Sequence, residues 1–246
     1  MACLLASCET TSVTGLKNTS TTFDTVVVDA GHGGKDSGAY RRFGPPEKTA
    51  TLDVAKRLAR KLRESQLRVV TTRSSDVFIP LDTRVEMENR EPNSVFVSIH
   101  FNDSGRTGVK GFETYYHSPY AAAMAVRIQK KLCTIPGSVN RGVHTANFRV
   151  LRNAKYPAVL VECGYLSNRA EGHEARSDGY RELLADRIAE AIVDQRYGSG
   201  TYRAPAAAPA NSPAPTATPA VKPPGEGPLP TRRGPGLVPR KLGDGS

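Results

Sequence analysis

The sequence predicts an α/β protein: a three-layer, mostly parallel twisted sheet with helices on both faces. Three observations carry that prediction. Short β-branched runs recur at Val26-Val27-Val28, Val95-Phe96-Val97 and Val159-Leu160-Val161 and read as strands buried on both faces. Between them lie stretches with apolar residues at helical spacing, and strands alternating with helices build layered parallel sheets. Each run also leads into a residue suited to holding a metal or moving a proton, namely His32, His100 and Glu162. In an open α/β sheet such residues collect in the crevice beyond the carboxyl ends of the strands.

The elements follow in order. A first strand over 25–29 runs into the glycine-rich Gly31-His32-Gly33-Gly34. A helix over 47–64 is marked by Leu52, Ala55, Leu58, Ala59 and Leu62 along one face, and Pro45 and Pro46 suit its start. Glu47 therefore stands in a first helical turn, on the sheet's active edge. A strand over 67–72, a helix over 81–90, a strand over 94–99, a strand over 111–116 and a helix over 119–132 come next. Strands over 148–152 and 157–162 precede a last helix over 179–196, whose face carries Leu183, Leu184, Ile188, Ala191 and Ile192. Residues 23–198 are enough for one domain with a full core. Residues 1–22 read as a lipoprotein signal remnant and tether.

Two imidazoles, a carboxylate and a water complete a four-coordinate catalytic zinc site, so His32, His100 and Glu47 suggest a zinc hydrolase. Each has a blander reading. A histidine after a strand is often a packing or capping residue, and a glutamate at a helix start is favoured by the helix dipole. A buried strand ending in Glu162 is harder to dismiss, because an unpaired buried carboxylate is costly. The glycine-rich loop does not fit phosphate binding. Asp36 stands where a dinucleotide fingerprint needs its third glycine, and Lys35 is not followed by Ser or Thr.

Val28-Asp29-Ala30-Gly31-His32-Gly33-Gly34-Lys35-Asp36-Ser37-Gly38-Ala39 resembles the opening motif of the zinc-dependent N-acetylmuramoyl-L-alanine amidases of the type 3 class. Glu47-Lys48 resembles that family's second ligand motif and Ser98-Ile99-His100-Phe101-Asn102 its third. Asn140-Arg141-Gly142-Val143, Val150-Leu151-Arg152 and Pro157 through Asn168 resemble its final block. The resemblance implies that His32, Glu47 and His100 hold zinc and that Glu162 is the catalytic carboxylate. It implies cleavage of the amide between the lactyl group of N-acetylmuramic acid and L-alanine in peptidoglycan, in the cell envelope, periplasmic or secreted. Asn102 and Arg141 are candidates for touching substrate. Phe101 and Cys163 depart from the pattern without removing a reactive group. A zinc peptidase cutting within the stem and a non-catalytic wall-binding module are the rival readings. Some cell-division members carry a helical plug after the third ligand, and the stretch from Asn102 to Asn140 is too short for one.

The formal net charge is +10. No nucleic-acid motif accompanies it, and anionic wall polymers would feel the same field. Lys56, Arg57, Arg60, Lys61 and Arg63 read as a solvated helix face. His117, His144 and His173 read as surface or loop residues, with His144 a minor candidate for lining the cleft. Leu5-Ala6-Ser7-Cys8 resembles a lipobox, which would anchor the chain to a membrane through lipidated Cys8. Only seven residues precede Cys8 and none is basic, so either the true start lies upstream or the match is accidental. Cys133 and Cys163 are expected to be two separate buried thiols, and the chain a monomer. Eleven of the 18 prolines fall in the last 43 residues, and this composition predicts a disordered tail over 199–246.

Overall fold

A computed structural model describes residues 15–39 and 43–204. Its six strands are β1 (Thr25–Ala30), β2 (Arg68–Thr71), β3 (Ser94–Asn102), β4 (Phe112–Tyr116), β5 (Asn140–Thr145) and β6 (Ala158–Tyr165), and they form one sheet in the order β2-β1-β3-β6-β4-β5. All neighbours are parallel except β4 against β6. The helices are α1 (Glu47–Glu64), α2 (Leu81–Asn89), α3 (Ala122–Leu132), α4 (Arg149–Arg152), α5 (Arg169–Glu174) and α6 (Asp178–Tyr197). The α/β, mostly parallel prediction holds. None of the described helices is long and apolar enough to cross a membrane.

Alternation along the strands sorts side chains onto two faces. Val26, Val28, Val95, Val97, Ile99, Val159 and Val161 face the larger core under α1, α3 and α6. Val27, Phe96, Ala158 and Leu160 face a smaller core with Val85 of α2 and Val150 and Leu151 of α4. This second layer covers the N-terminal halves of β1, β3 and β6. His100, two same-face positions beyond Phe96, and Glu162, one beyond Leu160, share its face.

Three sequence expectations change. Residues 149–152 are helical rather than a strand, because a short apolar run has no periodicity to separate the two states. The helix turns Val150 and Leu151 inward and leaves Arg149 to pair with Asp82. The edge strand is instead Asn140–Thr145, a polar segment with little strand signal. Nor is the basic face of α1 merely solvated. Lys61 is buried and bonds Glu182 at 2.8 Å and Asp186 at 3.1 Å, while Arg57 and Arg60 also reach Glu182. Asp178, Glu182 and Asp186 recur every four residues along α6, a spacing legible in the sequence.

Candidate active site

The site begins where β1 stops. Gly31 follows it, and a Cβ there would lie 2.3 Å from the His100 ring, so the imidazole rests directly on bare backbone. His32 then takes φ 60°, a left-handed conformation rare outside glycine. Two buried arginines hold this turn. Arg84 donates to the carbonyls of Ala30 and His32 at 2.7 Å each, and Arg73 donates to those of Ala30 at 2.9 Å and Gly31 at 2.8 Å. Asp29 faces Arg84 and accepts from Thr72 at 2.6 Å and Ser98 at 2.7 Å. Burial pushes the Asp29 carboxyl up, but Arg84 and the two hydroxyls hold it below the usual range. The aspartate of the motif is thus a structural anchor rather than a ligand.

The start of α1 is fastened to the same loop. The Glu47 amide donates to the carbonyl of Ala39 at 2.9 Å and the Lys48 amide to that of Ser37 at 3.2 Å, which satisfies two of the helix's orphan donors. Glu47 is thereby aimed back at β1 and β3. Its Oε1 lies 3.1 Å from His32 Nε2 and 3.0 Å from His100 Nδ1 and accepts from the Phe101 amide at 3.0 Å. Its Oε2 accepts from the Ala39 amide at 2.8 Å. His32, Glu47 and His100 each bring one ligand atom into a cluster no wider than 4.8 Å. Asp36 Oδ2 sits 2.9 Å from His32 Nδ1, the outer partner that leaves Nε2 for a metal. Two imidazoles and a carboxylate converging in this way make a donor set that could hold a metal ion.

The charges agree. Burial opposes ionisation of His32, but Glu47 and then Asp36 outweigh it and lift its pKa to about 9. His100 is raised for the same reason, again by Glu47 against burial. Glu47 goes well below the usual carboxylate range, since the two imidazoles overcome the penalty of burial. A metal must therefore displace protons. Zinc titration calorimetry in buffers of different ionisation enthalpy is expected to show release of at least one proton at pH 7, with affinity falling roughly tenfold for each unit that the pH is lowered, per proton displaced. In the metal-free chain the raised His32 pKa has the opposite sign. Its stabilisation is complete below the ordinary value of 6.5 and fades as pH climbs through about 9.

Glu162 lies beside His100 in the β3–β6 ladder. It is half-buried, its Oε2 is shut off from solvent, and no hydrogen bond from a described residue reaches that atom. Burial raises its pKa to about 7, against the pull of His100. The structure thus brings His32, Glu47, His100 and Glu162 together as the sequence predicts. One detail differs: His100 and Glu162 lie within the ends of their strands rather than beyond them.

Sequence reasoning missed Glu113. This buried residue of β4 stands directly opposite Glu162 in the antiparallel ladder. Its Oε2 accepts from Asn102 at 2.8 Å, Tyr165 at 3.0 Å and Tyr115 at 3.2 Å, and its Oε1 accepts from Arg141 Nε at 2.9 Å. Asn102 is therefore tied to Glu113, and its Oδ1 accepts from the Asp103 amide at 2.8 Å. His144 is exposed, with its ring 5.6 Å from that of Tyr115 on this side of the site. His117 and His173 lie away from the cluster and exposed. Cys133 and Cys163 are both free thiols, but only Cys163 is buried. Cys8 lies outside the described residues.

Known proteins match this chain closely. The family model for N-acetylmuramoyl-L-alanine amidase matches residues 26–194. The N-acetylmuramoyl-L-alanine amidase LytC of Bacillus subtilis is 37% identical over 174 residues, which are 69% of this chain and 35% of that protein. The chain thus spans about a third of the length of that curated relative. The solved N-acetylmuramoyl-L-alanine amidase AmiC2 of Nostoc punctiforme is 39% identical, with a TM-score of 0.67 over 69% of this chain and 95% of that one. The catalytic domain of the amidase CwlV from Bacillus (Paenibacillus) polymyxa is also 39% identical, with a TM-score of 0.66 over 70% of this chain and 97% of that one. On a match spanning both histidines, both glutamates and nearly every described element, the chain belongs to the N-acetylmuramoyl-L-alanine amidase family.

Proposed function

We propose that this chain hydrolyses the amide between N-acetylmuramic acid and the L-alanine of the stem peptide in peptidoglycan, with zinc held by His32, Glu47 and His100. The observation that carries the reading is the unpartnered Glu162 carboxyl beside a three-ligand cluster. Zinc, when bound, supplies a Lewis acid and a water of lowered pKa. Glu162 takes the water's proton on its carboxylate and returns it to the leaving amine. In the metal-free chain burial lifts this carboxyl to about 7, the direction a group that both takes and returns a proton needs. His32 is kept in one tautomer by Asp36, and Glu47 is fixed by the amides of Ala39 and Phe101, so the ligands need no rearrangement before the reaction.

On this reading the enzyme needs no activating protein. Between β3 and β5 the chain forms β4, a 3-10 turn at Pro119–Ala121 and α3, whose Met124, Ala125, Ile128 and Leu132 are buried in the core. Nothing in that stretch plugs the ligands. The purified chain alone, incubated with isolated sacculi, is expected to release stem peptides with a free N-terminal L-alanine, detected by mass spectrometry, and a chelator should stop the release. New termini inside the stem, or activity only after adding envelope extract, would overturn this reading.

The reading places the enzyme in the cell envelope, as a monomer with a catalytic domain over 23–198, tethered through Cys8 or the tail over 199–246. Residues 1–14 and 205–246 lie outside the described ones. Deleting Ala204–Ser246 is expected to leave the melting temperature and the hydrolysis of small muropeptides nearly unchanged, because a segment of that composition adds little to a core. A large drop in a thermal melt would show that it packs on the domain.

A further inference from the structure

The row His100, Glu162, Glu113, Arg141 crosses the sheet from β3 through β6 and β4 to β5. That order gives the groove a direction. On the amidase reading the scissile carbonyl lies at the ligand cluster, and Glu162 protonates the leaving nitrogen. The leaving nitrogen therefore sits toward Glu162, and the stem peptide that carries it runs away from the ligands, across β4 toward β5. The sugar side must lie the other way, over the 33–38 loop.

Arg141 waits on the peptide side. Its bond to Glu113 goes through Nε, and a contact with the Tyr165 hydroxyl engages only part of the guanidinium, so Nη donors remain for a ligand. The guanidinium lies 5.4 Å from the centroid of the Tyr165 ring, and the side chain is 37% exposed. Glu113 does not need the arginine's whole charge. Three neutral donors, Asn102, Tyr115 and Tyr165, already serve its Oε2. The arrangement is a partly exposed arginine steadied by Glu113 with Nη donors to spare, the group that recognises carboxylates.

We infer that Arg141, positioned by Glu113, is a specificity residue that binds a free carboxylate on the second residue of the stem peptide. This rests on the amidase reading above. The reach agrees. Neighbouring strands stand about 4.8 Å apart, so Glu113 is one such step from Glu162. An extended residue spans roughly 3.5 Å, which puts the second residue's carboxyl group over β4, where the guanidinium lies. That residue in peptidoglycan is a γ-linked glutamate, whose α-carboxyl is either free or amidated. A fork of two N–H donors accepts the free acid. It meets the NH2 of the amide with a donor facing a donor.

The test compares two muropeptides that differ only in this group, carboxylate against carboxamide. Wild type is expected to prefer the acid by about 10- to 100-fold in kcat/KM, chiefly through KM, the size of a lost charge-assisted contact. Arg141→Gln should bring the ratio to within about twofold, and Arg141→Lys should leave it intermediate, because a lysine keeps the charge without the fork. A thermal melt checks that the variants fold. Calorimetric binding of the two free stem peptides repeats the comparison without turnover, so a failure of the amidase reading stays distinct from a failure of this one. Equal handling of acid and amide by wild type, or an acid preference that survives Arg141→Gln in both assays, would overturn the inference.

Discussion

Glu162→Gln is expected to keep its zinc and to lose roughly 10²–10⁴-fold in turnover, the usual contribution of a general acid–base group. The substitution is nearly isosteric, so the β6 register and the neighbouring His100 stay in place. It removes only the ability to accept a proton at a site that no other described side chain serves. Oε2 has no partner to lose, and the amide must instead bury an unpaired NH2, a modest cost beside the loss of the proton shuttle. Metal content by atomic absorption and turnover on soluble muropeptides decide the matter together. Turnover within threefold of wild type would remove Glu162 from the mechanism, whereas loss of zinc would make it a ligand.

Removing a ligand should look different. His32→Ala and His100→Ala are each expected to lose both metal, from about one zinc per chain to near none, and activity, down to background. The physical reason is that each variant leaves only two of the three ligands, Glu47 and one imidazole, too few to hold the ion tightly. Asp36→Asn should be milder, about 10- to 100-fold in zinc affinity, since it touches the metal only through His32. Full zinc occupancy in the His32→Ala, His100→Ala double variant would sink the ligand assignment. Equal losses for Asp36→Asn and His32→Ala would place Asp36 among the direct ligands.

The parts legible in the sequence are those written in local patterns. The β-branched runs of β1, β3 and β6 announce buried parallel strands, and the stripe of α1 together with Pro45 and Pro46 fixes where Glu47 begins its helix. From these alone the convergence of His32, Glu47, His100 and Glu162 follows. The parts that stay hidden depend on partners distant in the chain. β5 is recruited to the sheet by pairing with β4, despite holding little apolar residue beyond Val143. Glu113 looks like an ordinary polar position of a half-exposed strand until the fold brings Asn102, Tyr165 and Arg141 to it. Arg73 and Arg84 carry no local sign that they will hold the carbonyls of the first motif, 43 and 54 residues away from Ala30. Asp36 was visible as the residue that spoils a nucleotide fingerprint, but its role as a brace for His32 needs the turn at φ 60°.

Gly31 shows what this kind of site does to a mutational map. The residue has no side chain and moves no proton, yet the His100 ring lies where its Cβ would be. Any larger residue would force the imidazole or the backbone to shift. It is a spacer whose function is to be the thinnest available part. A screen that ranks positions by lost activity would score Gly31 beside the ligands, and only a metal-content assay run alongside would reveal that the defect is one of clearance and not of chemistry.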